Sequence, residues 1–239
     1  MPTYSAGLLL GLGLQLAVPA AAQTVLLDGD VAADTAQQTF GPNRRLYRHL
    51  FGGYAVVAGP DAPGAELRGL ASNELTLGLR HKLRLSQTLA VGADLRYLRQ
   101  TYALSQNPQK AVPSSALHHR ESLVVQRADA ELWLRLNAGR RGNAIGHYFD
   151  VAGWSGWVAG TAHHTEDKPA GAAPARRVLT AAHGLNYMRR WAYGAGARVG
   201  SGRYALQARY RFSDLFLPTE TTKFPELPRW TAGIEIGLF

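Results

Sequence analysis

The chain has 239 residues, 46% of them hydrophobic, a formal net charge of +9 and a mean hydropathy of −0.16. That hydropathy excludes a helical membrane protein, but not a membrane β-barrel, whose strands alternate polar and apolar residues so that the averages cancel. With no cysteine, a disulfide framework, a thiolate metal site and a Cys nucleophile are excluded as well.

Residues 1–23 carry an apolar run over 7–18, then Pro19 and the small residues Ala20, Ala21 and Ala22. This is the pattern of an export signal peptide and its cleavage site, although no Lys or Arg precedes the run. The run is too short to span a bilayer as a helix, which takes about 20 apolar residues. Residues 24–48 read as a periplasmic N-terminal segment, and 49–239 as the folded body.

From there the apolar residues recur with a period of two, the mark of a strand with two unlike faces. Over 50–59, Tyr54 and Val56 share a face. Over 74–85, Leu75, Leu77, Leu79, Leu83 and Leu85 oppose Glu74, Thr76, Arg80, Lys82 and Arg84, and His81 interrupts the apolar side. Over 89–97, Leu89, Val91, Ala93, Leu95 and Tyr97 oppose Gly92, Asp94 and Arg96. Over 129–136, Leu132, Leu134 and Leu136 oppose Asp129, Glu131, Trp133 and Arg135. Over 148–160, Phe149, Val151 and Trp157 oppose Asp150, Ala152 and Trp154. The clearest cases come last: 191–199, with Arg198 among glycines on its polar side, and 204–212, where Tyr204, Leu206, Ala208 and Tyr210 oppose Gln207, Arg209 and Arg211. The final strand, 230–239, sets Ile234, Ile236 and Leu238 against Glu235, with Phe239 out of phase.

The connections alternate in length. Tight or Gly-rich turns follow 85, 136 and 199, and long polar segments fill 59–72, 104–120, 161–182 and 213–229. The expected fold is therefore all-β, an eight-stranded antiparallel up-and-down transmembrane β-barrel with short periplasmic turns and long external loops. The stretch 176–190 reads as an external loop, because a ninth strand would break the even count. A last strand that must pair with the first leaves no open edge in a bilayer, where no water can satisfy it.

The same alternation would serve a soluble lipocalin-like ligand binder with its faces exchanged. Two features favour the membrane. The polar face mixes Arg with Asp and Glu and is spaced by glycine, which suits an ion-paired lumen. The apolar face carries Tyr97, Trp157, Trp191, Tyr204 and Tyr210 towards strand ends, where an interfacial aromatic belt sits.

Several stretches carry a resemblance: ELTLGLRHKLRLSQTLAVGADLRY, AELWLRL followed by YFDVAGWSGWVAG, GAGARVGSGRYALQARYRFSDLF, and the closing AGIEIGLF. Together they resemble the PorT-like outer-membrane β-barrel family over most of 71–239. The resemblance implies a small exported barrel in the outer membrane of a Gram-negative bacterium. It carries over no catalytic residue.

Candidate chemistry is sparse. His118, His119, His163, His164 and His183 fall in expected external loops, where adjacent histidines diverge and chelate poorly. The His-x-Ser arrangement of lipid A deacylases is absent. Asp129 and Glu131 are expected to face Arg80, Arg96 or Arg209 inside the barrel as ion pairs. Arg176, Arg177, Arg189 and Arg190 are positioned to meet lipopolysaccharide phosphates. No catalytic, cofactor-binding or metal residue is assigned.

The sequence thus points to a non-enzymatic outer-membrane protein with a structural, surface or accessory role. Its expected partners are outer-membrane lipid and lipopolysaccharide, the barrel-assembly machinery during biogenesis, and a periplasmic or surface protein, with no nucleic acid. The alternatives are a lipid A-modifying enzyme in the same membrane and the soluble exported ligand binder.

Overall fold

A computed structural model describes residues 41–139, 142–169, 176–221 and 223–238. The stretch expected to be an export signal, most of the expected N-terminal segment and Phe239 lie outside the described residues. Nine strands form one antiparallel sheet: β1 (Leu46–Ala58), β2 (Asn73–Arg84), β3 (Leu89–Ala103), β4 (Arg120–Ala138), β5 (His147–Asp167), β6 (Val178–His183), β7 (Trp191–Ser201), β8 (Tyr204–Arg211) and β9 (Trp230–Leu238). Among the described residues one 3-10 turn, Gly69–Ala71, lies between β1 and β2.

Eight of the nine close into a ring. The pairing runs β4-β3-β2-β1-β9-β8-β7-β5, and β4 returns to pair with β5. Successive ring strands pair antiparallel, and β1 meets β9, with Leu50 opposite Leu238 and Ala58 opposite Trp230. No ring strand therefore has an open edge along its paired length.

Burial follows the strand phase read from the sequence. Leu75, Leu77, Leu95, Leu132, Leu134, Leu136, Phe149, Val151, Val199, Leu206 and Ile234 are exposed outside the ring. Glu74, Arg80, Asp94, Arg96, Asp129, Glu131, Arg135, Asp150, Arg198, Gln207, Arg209 and Glu235 are buried inside it. A one-residue slip anywhere would exchange these sets, which is why register is so strongly specified. Glycines make room for the large interior rings. A Cβ on Gly92 would run into the Trp133 indole, and one on Gly200 into the Tyr148 ring.

Three elements differ from expectation. First, β1 begins at Leu46, so Leu46–Arg48 belong to the strand rather than to the leader, and Phe51 fills the interior with no exposure. The residues just before β1 close that end of the ring. Asn43 donates to the Gly142 carbonyl at 2.5 Å, and the Lys82 ammonium reaches the Pro42 carbonyl. Second, the segment 176–190 is not all loop. It holds β6, which pairs with the far end of β5, Ala162 to Asp167, beyond the ring. All six β6 residues are exposed, so no burial pattern marks it in the sequence. Third, β4 and β5 run well past the ring as a long hairpin, with a bulge at Gln126/Arg127.

The long connections do not stay polar and apart. At their end of the ring Tyr102, Leu104, Val112, Leu123, Val125, Leu185, Met188, Leu215, Phe216 and Leu227 form one buried apolar cluster. It draws on all four long connections, and Tyr187 and Phe224 pack on it against Phe216, with ring centroids 6.2 and 5.3 Å from that of Phe216. The cluster is a lid built from loops.

Candidate functional site

The interior charges follow directly from strand pairing. Residues opposite each other on neighbouring strands share a face, so Arg80 opposite Asp94, Asp94 opposite Glu131, and Asp150 opposite both Arg135 and Arg198 all converge inside the ring. Asp94 accepts from Arg80 at 2.7 Å, from Arg198 at 2.8 Å and from the Trp133 indole at 2.6 Å. Glu235 bridges Arg80 at 2.6 Å and Arg96 at 3.0 Å. Glu131 meets Arg96 at 3.0 Å and Arg198 at 3.2 Å. Asp150 takes both Arg135, at 2.7 Å, and Arg198, at 3.1 Å. Nearer the lid, Asp129 pairs with Arg127 at 2.5 Å and Arg209 at 2.8 Å. The pairings expected for Asp129 and Glu131 therefore involve Arg96 and Arg209 as read, and Arg127 and Arg198 in addition.

Aromatic faces support the same cations. Arg80 and Arg96 lie 4.4 and 4.8 Å from the Phe51 ring centre, Arg135 lies 3.5 Å from that of Tyr148, and Arg127 and Arg209 flank Trp154. Two interior cations are answered from outside the ring. Arg211 pairs with Glu226 of the last long connection at 2.7 Å, and Lys82 reaches Pro42. A cavity of about 10 Å³ beside Gln100, Arg127 and Arg211 has room for roughly one water. The interior is thus filled by its own side chains, for which an eight-stranded ring is just wide enough.

The histidines divide into two kinds. His163 Nε2 lies 2.8 Å from Glu121, and His118 Nδ1 lies 3.0 Å from Asp167. Glu121 is the hub of this corner. Lys110 and Gln106 of the 104–119 connection also bind it, so one carboxylate pins that connection to β4. Burial would raise the Glu121 carboxyl, but the hydrogen bonds from His163, Lys110 and Gln106 hold it below the ordinary range. Within the lid, burial pushes the Tyr187 hydroxyl up to about 12. His164 and His183 face outward, ring centroids 6.1 Å apart. Among the described residues no group of three or more His, Asp or Glu is arranged to hold a metal ion. These histidine–carboxylate contacts were missed in the sequence because their partners lie 42 and 49 residues away.

Outside the ring, an aromatic row marks the end of the apolar wall. Tyr97, Ala128, Trp157 and Trp191 stand side by side across β3, β4, β5 and β7. Above that row a groove of about 510 Å³ opens on the outer wall of the β3–β4–β5–β6 sheet. Arg68, Arg120, Thr101, Ser122, His164 and Arg177 line it. Of the arginines read from the sequence as phosphate contacts, Arg177 is here but engages Glu166 at 2.9 Å, while Arg189 turns to Asp214 at 3.9 Å. Arg68, Arg99 and Arg120 were not singled out, since nothing in the linear sequence brings them to one wall. No helix among the described residues is long and apolar enough to cross a membrane. Comparison with known proteins finds no family model and no curated protein that matches this chain.

Proposed function

We propose that the protein is an integral outer-membrane protein whose eight-strand ring is an up-and-down transmembrane β-barrel with a closed, non-conducting interior. Its role is structural or accessory, exercised through the loop-built lid and the outer wall above the aromatic row. The observation that carries this reading is the assignment of faces. Leucine and aromatic side chains cover the outside, with Leu132 70% exposed, while arginines and carboxylates are buried within.

In water that arrangement leaves a continuous apolar surface, which soluble proteins avoid. In lipid it is the stable one. A soluble ligand-binding barrel needs the opposite assignment and an empty interior, and here the interior is filled by ion pairs. The PorT-like resemblance agrees with this location and adds no chemistry. A lipid-modifying enzyme would need a nucleophile beside the loop histidines. His118 and His163 each meet a carboxylate, and among the described residues neither is hydrogen-bonded to a hydroxyl.

Fractionation of expressing cells tests the reading. The chain should require detergent for extraction and should run faster on a gel unheated than heated, as a folded barrel does. Recovery in the soluble periplasmic fraction would overturn it.

A further inference from the structure

The groove above the aromatic row carries more positive charge than its neighbours can neutralise. Arg68 and Arg120 are exposed at its rim, and among the described residues neither pairs with a carboxylate. Arg99 is also exposed and, among the described residues, pairs with no carboxylate; it shares a face of β3 with Thr101 of the groove lining. Two carboxylates also line the groove, with Glu166 opposite Arg120 across β4 and β5, and both engage other partners. Glu166 is taken by Arg177, and Glu121 turns inward to Lys110, Gln106 and His163. Two of these cations, Arg68 and Arg120, thus line a concave surface together with the hydroxyl-bearing Thr101 and Ser122, and Arg99 lies just below it on the same face of β3. Such a set suits phosphate, which Arg grips with paired donors.

The position of the groove selects among phosphate carriers. Arg99 lies two residues beyond Tyr97 on the same face of β3, roughly 7 Å along the strand. Below Tyr97 the same wall continues as Leu95, Ala130 and Leu132, all exposed. A ligand filling both regions must be an anionic headgroup on acyl chains. Free phosphate or an acidic protein would use the rim and leave the apolar wall bare. We infer that Arg68, Arg99 and Arg120 form a binding site for the phosphorylated headgroup of a glycolipid, whose acyl chains lie along the leucines of β3 and β4.

The inference rests on the membrane reading above, and its test separates the two. The full chain, purified in non-ionic detergent, is titrated with bisphosphorylated lipid A, with the monophosphorylated form of the same acylation, and with inorganic phosphate, and bound lipid is counted by native mass spectrometry. Bisphosphorylated lipid A should bind at least fivefold more tightly than the monophosphorylated form. The triple variant R68A/R99A/R120A should weaken it at least tenfold, while Arg48→Ala, at the opposite end of the ring, should not change it. Heat-modifiable gel mobility reports folding of each variant, and Arg99→Glu alone is read if the triple variant loses it. Equal affinity for the two lipids, an undiminished triple variant, or displacement by millimolar inorganic phosphate would each overturn the site. A chain that needs no detergent at all would instead sink the membrane reading beneath it.

Discussion

Replacing Leu132 with arginine sets lipid against water as the surroundings of the ring. Leu132 is 70% exposed on β4. It stands midway between Leu136, on the last outward row before the 139–146 turn, and Ala128, in the aromatic row. From Leu136 to Ala128 the strand runs roughly 26 Å, or about 20 Å along the normal at a typical tilt. Side-chain reach at both ends brings this close to the ~25 Å apolar band of outer-membrane barrels. Leu132 is then at the midplane, where an arginine costs about 2–4 kcal/mol, whereas at Leu136 the cost falls to about 0–1 kcal/mol. On a water-facing surface both changes would stay within about 0.5 kcal/mol. Reversible urea unfolding in phosphatidylcholine vesicles, followed by the fluorescence of the five tryptophans, measures the difference. If L132R matches the parent, or L136R is the more damaging, the outward face does not meet lipid.

Removing one interior carboxylate should be worse than any surface change. Glu235→Gln leaves Arg80, Arg96 and Arg198 around a neutral group. Breaking a buried network this way costs about 3–5 kcal/mol, readable as a lower urea midpoint with the unfolding slope unchanged. Phe216→Ala, in the lid, should loosen the long connections by about 3–5 kcal/mol locally, seen as faster amide exchange over 212–229 and 104–119 with gel mobility retained. The Glu121 anchor should respond to acid. Its folded pKa is depressed, so its stabilisation is fully present above the ordinary value of 4.5 and is lost as pH falls through the lower folded value. Protease cleavage within 104–119 should therefore rise only below about pH 4.5, and Glu121→Gln should be cleaved equally at neutral pH.

What could be read from the sequence was whatever the two-residue period records. Leu75 and Leu77 against Glu74 and Thr76, or Leu206 against Gln207, assign a face with no knowledge of partners, and the structure keeps every one of those faces. Periodicity fails where both faces are covered. In the upper part of β4, Leu123, Val124 and Val125 are all buried, and the lid cluster packs on Leu123 and Val125. The run looks like no half-exposed strand, so the strand was read as starting at 129. β6 is hidden for the opposite reason, since all its residues are wet. The lid was invisible because Val112, Met188, Phe216 and Leu227 lie in separate polar segments and converge only when the ring brings those segments to one mouth. The outer groove was illegible for the same reason.

The reach of Arg198 has a consequence for how the chain is built. From β7 it touches carboxylates on β3, β4, β5 and β9. No contiguous subset of strands that lacks one of these can neutralise the centre, so in the proposed lipid setting a half-made sheet would present bare ions towards hydrocarbon, where they are strongly disfavoured. Under the proposed membrane reading, seam closure between β1 and β9 and entry into lipid would be tied together, and an unfinished chain would be held back in the aqueous compartment until its whole circumference is present.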